Sequence, residues 1–117
     1  MPPQEVLTER VRAALARARR VSERKMFGGV TFMVNGKMCI SVGHQRLMCR
    51  IDPEVHEAAT RRRGVRTVTM KGRAYRGFVY VRGDAVASKR ELDYWVKLCL
   101  DFTKRAKSSR RRRPTSA

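Results

Sequence analysis

The sequence predicts an α+β fold, a two-layer sandwich of order α-β(3)-α-β(2)-α with a mainly antiparallel five-stranded sheet. Three observations carry that prediction. Asn35-Gly36 stands between two apolar runs, the strongest short hairpin signal, because a type I′ turn needs positive φ at both central residues. Apolar residues recur at helical spacing near both ends of the chain, the mark of helices with one buried face. Between them, short alternating segments are punctuated by Gly, Asp and Pro, as in antiparallel strands joined by turns. A chain of 117 residues, 42% of them hydrophobic, suits one domain with a modest core.

Each element has its own warrant. Residues 4–19 read as the first helix, with Val6, Leu7, Val11, Ala14, Leu15 and Ala18 on one stripe. Glu5 and Glu9 come early and Arg17, Arg19 and Arg20 late, which complements the helix dipole. In the hairpin, an uninterrupted two-residue register pairs Val34 with Lys37, Phe32 with Cys39 and Val30 with Ser41. One face then carries Val30, Phe32, Val34, Lys37, Cys39 and Ser41, and the other Thr31, Met33, Met38, Ile40 and Val42. Neither face is polar, so the hairpin is central in the sheet or offers one face to a partner.

Gly43-His44-Gln45 turns the chain into a third strand, Arg46 to Ile51. Asp52-Pro53-Glu54 opens a second helix, with Asp52 as cap and Pro53 in the first turn. Arg61-Arg62-Arg63 and Gly64 close it. Val65, Val68 and Met70 suggest a short strand, Lys71-Gly72-Arg73 a turn, and Arg76 to Arg82 a clear strand. In the latter, Val79 and Val81 point one way and Arg76, Phe78, Tyr80 and Arg82 the other. Ser88-Lys89-Arg90-Glu91 is a capping box; it leads a last helix with Leu92, Trp95, Val96, Cys99 and Phe102 on one stripe. The domain is expected over residues 1–106. Residues 107–117 have nothing to anchor them and are expected to form a disordered Arg-rich tail.

Charge narrows the function. The net charge is +18; seven of the 28 basic residues lie from Lys104 onward, and the chain up to Phe102 holds the other twenty-one with all ten acidic ones, which leaves it at +11. Such a field attracts polyanions over a Debye length of about 8 Å. Nucleic acid, bound without sequence reading and sensitive to salt, is the expected partner. The candidate contacts are Arg61, Arg62 and Arg63, and the tail residues Lys104, Arg105, Lys107, Arg110, Arg111, Arg112 and Arg113. Phe78 and Tyr80 interleave with arginines on one strand face; that pattern suits single-strand stacking, but packing against a helix or a second subunit is favoured there.

Little points to catalysis. Cys39, Cys49 and Cys99 are odd in number and widely spaced, which argues for reduced core thiols in the cytoplasm rather than a disulfide framework. No apolar run is long enough to span a membrane. His44 stands near Cys39 and Cys49 in the meander, but no CxxC, HxxxH, Ser-His-Asp or P-loop pattern is present. No catalytic residue, cofactor or metal is therefore expected.

Several separated motifs also carry a family likeness. Arg24-Lys25-Met26-Phe27-Gly28-Gly29 followed by the Asn35-Gly36 hairpin resembles the signature of the TfoX/Sxy N-terminal domain family. The likeness continues through Leu47-Met48-Cys49-Arg50-Ile51-Asp52-Pro53, Met70-Lys71-Gly72-Arg73 and Arg76-Gly77-Phe78 to Leu92, Trp95 and Val96. It spans roughly residues 4–106. The resemblance implies the α-β(3)-α-β(2)-α fold and a role like that of the family's competence regulators, which act in transcription with a partner activator. It brings no catalytic set, and its motif positions Met26, Phe27, Gly28, Gly29, Asn35 and Gly36 read as structural. Longer members carry a second, helical domain where this sequence has its basic tail. The expectation is thus a non-enzymatic regulatory or accessory protein with electrostatic nucleic-acid affinity. Beside it stand a protein-interaction or homodimerisation module with incidental charge, and a small enzyme or metal protein using Cys39, Cys49 and His44.

Overall fold

Turn chemistry dictates the pairing of the strands. A computed structural model of the chain describes residues 4–26 and 28–105. In it Asn35 and Gly36 turn with φ of 54° and 78°, so β2 (Gly29–Val34) and β3 (Lys37–Gly43) form the expected hairpin. Lys71 and Gly72 repeat the device at φ of 53° and 76°, joining β5 (Val65–Met70) to β6 (Arg73–Arg82). A further strand, β4 (Arg46–Arg50), follows β3.

The sheet has six strands, not five. Val21–Met26 forms β1, antiparallel to β2, and the order across the sheet is β1-β2-β3-β4-β6-β5, every neighbouring pair antiparallel. Ser22-Glu23-Arg24-Lys25 shows no apolar alternation because this strand lies at the edge and all but its first residue are exposed.

The hairpin register also departs from the simple one. Val34 pairs with Lys37 and Met33 with Met38, but Phe32 then pairs with Ile40, Thr31 with Ser41 and Val30 with Val42. Cys39 is the extra residue of a bulge, and the one-residue slip exchanges faces. Ile40 and Val42 therefore join Phe32 and Val30, while Ser41 joins Thr31.

Three helices cover one face of this sheet. α1 (Gln4–Ala14) is shorter than the expected 4–19, its last apolar residues Leu15 and Ala18 continuing through turns bonded to Val11 and Leu15. The Asp52 carboxylate accepts from the Glu54 N–H at 2.9 Å, and a 3-10 turn (Pro53–Val55) leads into the short α2 (His56–Thr60). α3 (Lys89–Arg105) begins where Ser88 Oγ accepts the Glu91 N–H at 3.1 Å. The core joins Leu7, Val11 and Leu15 to Phe32, Ile40, Val42, Leu47, Cys49, Val79 and Val81, under Leu92, Trp95, Val96 and Cys99. Burying a side chain of this size contributes roughly 1.5–3 kcal/mol, so this layer holds the helices to the sheet.

Gly77 shapes the far end of β6. Its φ of +94° favours glycine, and an added Cβ would lie 3.2 Å from Pro53 Cγ and 3.3 Å from the Ile51 carbonyl oxygen. Pairing breaks there, from Thr67 opposite Val79 to Val68 opposite Tyr75. Arg76, expected beside Phe78 and Tyr80, bonds instead to Glu57 of α2 at 3.1 Å. No helix among the described residues is long and apolar enough to cross a membrane.

Candidate nucleic-acid interface

Alternation along six paired strands puts every second side chain on the face that no helix covers. One unbroken row crosses that face: Arg24, Thr31, Ser41, Met48, Tyr80 and Arg66, each opposite the next. Met33 and Met38 form a cross-strand pair beside it. Arg46 and Arg82 form another, with Gly43 of β3 opposite Arg46 on its other side. Thr31 and Ser41 are buried and hydrogen-bond to each other at 2.9 Å, so their hydroxyls are satisfied. Val68 is buried yet lies outside the main core. Met70 reaches back to line a pocket of about 110 Å³ with Ser41, Gly43, Arg46, Met48 and Tyr80.

Phe78 and Tyr80, the sequence-predicted interface aromatics, are half-buried on this face. The Arg46 guanidinium lies 3.6 Å from the Tyr80 ring centroid, and Arg50 lies 5.9 Å from that of Phe78 and 5.4 Å from that of Phe102. Arginine over an aromatic face is a cation–π contact of about 0.5–1 kcal/mol where exposed.

Acidic residues avoid this surface. In the strands only Glu23 is acidic, and it lies opposite Phe32 on the helix side. There Arg12 of α1 grips it with two bonds of 2.6 and 2.8 Å, which hold the Glu23 carboxyl below its usual range. Asp84, two residues after the end of β6, takes a 2.6 Å bond from Arg82.

A second cationic feature lies between the helix layer and the hairpin turn. A cleft of about 520 Å³ is lined by Arg17, Arg19, Arg20, Lys37 and Lys104 over an apolar floor that includes Val34 and Leu100, with no acidic residue in its lining. Lys104 is among the contacts the sequence suggests; the three arginines and Lys37 are not, because only the fold brings them to one cleft. Arg105 ends α3. Lys107 and Arg110 to Arg113 lie outside the described residues. Arg61, Arg62 and Arg63 are exposed after α2, but Arg62 is engaged, 4.1 Å from the Tyr94 ring and 3.2 Å from Glu91. Gly28 precedes β2 and Asn35 and Gly36 follow it, all three at positive φ, while Gly29 opens β2 against the Val42 carbonyl, where an added Cβ would collide with the oxygen; Phe27 lies outside the described residues.

The Cys/His alternative finds no geometry. Cys39, Cys49 and Cys99 are buried in the core, while His44 is exposed in the β3–β4 turn. Hydrogen bonding with Cys99, then burial, pushes the Cys39 thiol well up, and burial does the same to Cys99, which removes the thiolate that reactivity requires. Among the described residues, no group of three or more His, Cys, Asp and Glu is placed to hold a metal. His56, missed by sequence reasoning, is buried and structural. Its Nδ1 accepts the Gly77 N–H at 2.9 Å and its Nε2 lies 2.8 Å from Thr67 Oγ1. No spacing signal announces that role.

Comparison with known proteins gives one match. A family model described as the TfoX N-terminal domain matches residues 13–103. No curated protein and no solved structure matches the chain.

Proposed function

Because the chain belongs to the TfoX N-terminal domain family, we propose that it is a competence-regulator-like accessory protein, linked to transcription, that works by binding rather than catalysis. Nucleic acid is its electrostatic partner. The observation that supports this most is the acid-free cleft of Arg17, Arg19, Arg20, Lys37 and Lys104. It lies at the end of α3, from which Arg105, Lys107 and Arg110 to Arg113 follow in sequence. Five cations on one concave surface supply the phosphate contacts that position a polyanion without reading its sequence. The apolar floor and the open mouth set no base specificity.

A mobility-shift titration with duplex DNA over a range of salt tests this reading. The full chain binds, and its affinity falls steeply as salt rises. Truncation after residue 106 removes five cations and flattens the logarithmic salt slope by up to about 4.5, at roughly 0.9 for each phosphate no longer neutralised. Equal slopes for both chains would remove the tail from the interface. No binding by the full chain at low salt would overturn the reading.

A further inference from the structure

The helix-free sheet face is distinct from the cationic cleft, and a polyanion in that cleft leaves it without an occupant. We infer that it binds single-stranded nucleic acid, seating one base in the pocket beside Tyr80 while Arg66 and Arg82 hold the flanking phosphates. This rests on the nucleic-acid reading above and adds the strand class and the surface.

Three observations converge. The first is charge. Arg24, Arg46, Arg66 and Arg82 are exposed on this face, and Asp84, just after β6, bonds one of them. Arg46 and Arg82 stand directly opposite each other in the ladder, where like charges are destabilising. The Arg46–Tyr80 stack and the Arg82–Asp84 pair offset that repulsion in part, and an anion beside the two arginines would relieve it further.

The second is the shape and chemistry of the pocket. Its volume of about 110 Å³ is comparable to the ~150 Å³ that accepts a benzene ring in an engineered core cavity. It is about a quarter smaller, so it admits the edge of one flat ring and leaves the rest of the base against Tyr80 and Arg46. Met48 and Met70 supply polarizable thioethers, which favour aromatic contacts. Tyr80 and the guanidinium stacked on it offer planar surfaces, and bases stack on both kinds of plane.

The third is the methionine distribution. Met33, Met38 and Met48 lie on this face by register, and Met70 lines its pocket. Four of the five methionines after Met1 are thus on the side away from the helices; Met26, at the end of β1, lines a cleft with α1. A flexible, sulfur-rich, cationic surface accommodates bases of differing shape and needs no hydrogen-bond code.

The same charge argues against a second copy as occupant. Two such faces apposed would oppose arginines to arginines with no carboxylate between them. Duplex DNA is disfavoured because its bases are stacked away from any ring pocket.

Fluorescence anisotropy of the full chain with labelled oligothymidylate, and with a duplex of equal length, tests the inference. It is run at about 0.3 M salt, where phosphate contacts are weakened and stacking persists. The single strand binds more tightly than the duplex. Tyr80→Leu weakens single-strand binding about tenfold, the scale of one lost base stack, and leaves duplex binding unchanged. Tyr80→Phe keeps wild-type affinity. Arg46→Gln, an exposed change that leaves the core alone, also weakens the single strand selectively. Arg66→Gln lowers the salt slope for the single strand by about one.

Unchanged single-strand binding by both Tyr80→Leu and Arg46→Gln would overturn the inference. So would equal wild-type affinity for strand and duplex. A sedimenting dimer dissociated by Arg46→Glu would also overturn it, giving the face to a second copy. Salt-sensitive duplex binding without single-strand preference defeats this inference alone. Loss of all binding at low salt defeats the broader reading with it.

Discussion

Replacing His56 tests how the β6 bulge is held. The imidazole is buried and makes two bonds: the Gly77 N–H donates to Nδ1 at 2.9 Å, and Nε2 meets Thr67 Oγ1 at 2.8 Å. With Nδ1 accepting, the ring proton sits on Nε2 and is donated to the threonine oxygen. His56→Ala leaves the buried Gly77 N–H without its acceptor, which costs about 1–3 kcal/mol. The orphaned Thr67 hydroxyl and the vacated ring volume bring the expected loss to about 3–4 kcal/mol. That is a large part of the roughly 5–15 kcal/mol that stabilises a domain. Asparagine is the control. Its Oδ1 stands where Nδ1 stood and keeps the Gly77 bond, so His56→Asn costs about 1–2 kcal/mol. Urea unfolding followed by circular dichroism gives both values, with a common slope if the unfolded surface is unchanged. A His56→Ala stability within about 0.5 kcal/mol of wild type would refute the reasoning. An asparagine variant as unstable as the alanine one would refute the assignment of Nδ1 as acceptor.

Two further predictions concern charge and thiols. The Glu23 carboxyl is held below its ordinary value of 4.5 by hydrogen bonds from Arg12, so the pair stabilises the fold above that value and loses its effect as pH falls through the lowered one. Arg12→Gln is therefore less stable than wild type at neutral pH, and the two converge in acid; a difference that persists undiminished in acid denaturation curves would contradict this. Cys39, Cys49 and Cys99 are buried, and the Cys39 and Cys99 thiols are pushed up. A thiol reagent at mildly alkaline pH should label none of the three at an appreciable rate in the native protein and all of them in denaturant; rapid native labelling would show that the core opens.

The elements that sequence pattern reveals are those whose signals are local. The Asn35-Gly36 turn, the Asp52 cap and the Ser88 cap each depend on a few adjacent residues, and each forms as read. The Glu91 carboxylate goes elsewhere, to Arg62, a partner 29 residues away that no capping motif encodes. β1 escapes sequence reading because hydrophobic alternation reports burial, and this strand buries almost nothing. The bulge at Cys39 leaves no compositional trace, yet it decides that Ser41 accompanies Thr31 and that Ile40 faces the core. The candidate surfaces are legible only in part. Alternation places Phe78 and Tyr80 on one face, but the row from Arg24 to Arg66 needs the order of six strands. The cleft draws on Arg17 from the turns after α1, Lys37 from β3 and Lys104 from α3, so only tertiary structure assembles it.

The charged character of β1 has a consequence for how the sheet ends. An edge strand presents unpaired N–H and C=O groups, a template on which another copy's strand can add and start a fibre. Here that edge carries Glu23, Arg24 and Lys25 in succession, and the opposite edge, β5, carries Arg66. Docking a second strand along β1 would force those charges out of water or against their like. The residues that disguise β1 as a loop thus make that edge a poor template for a seventh strand.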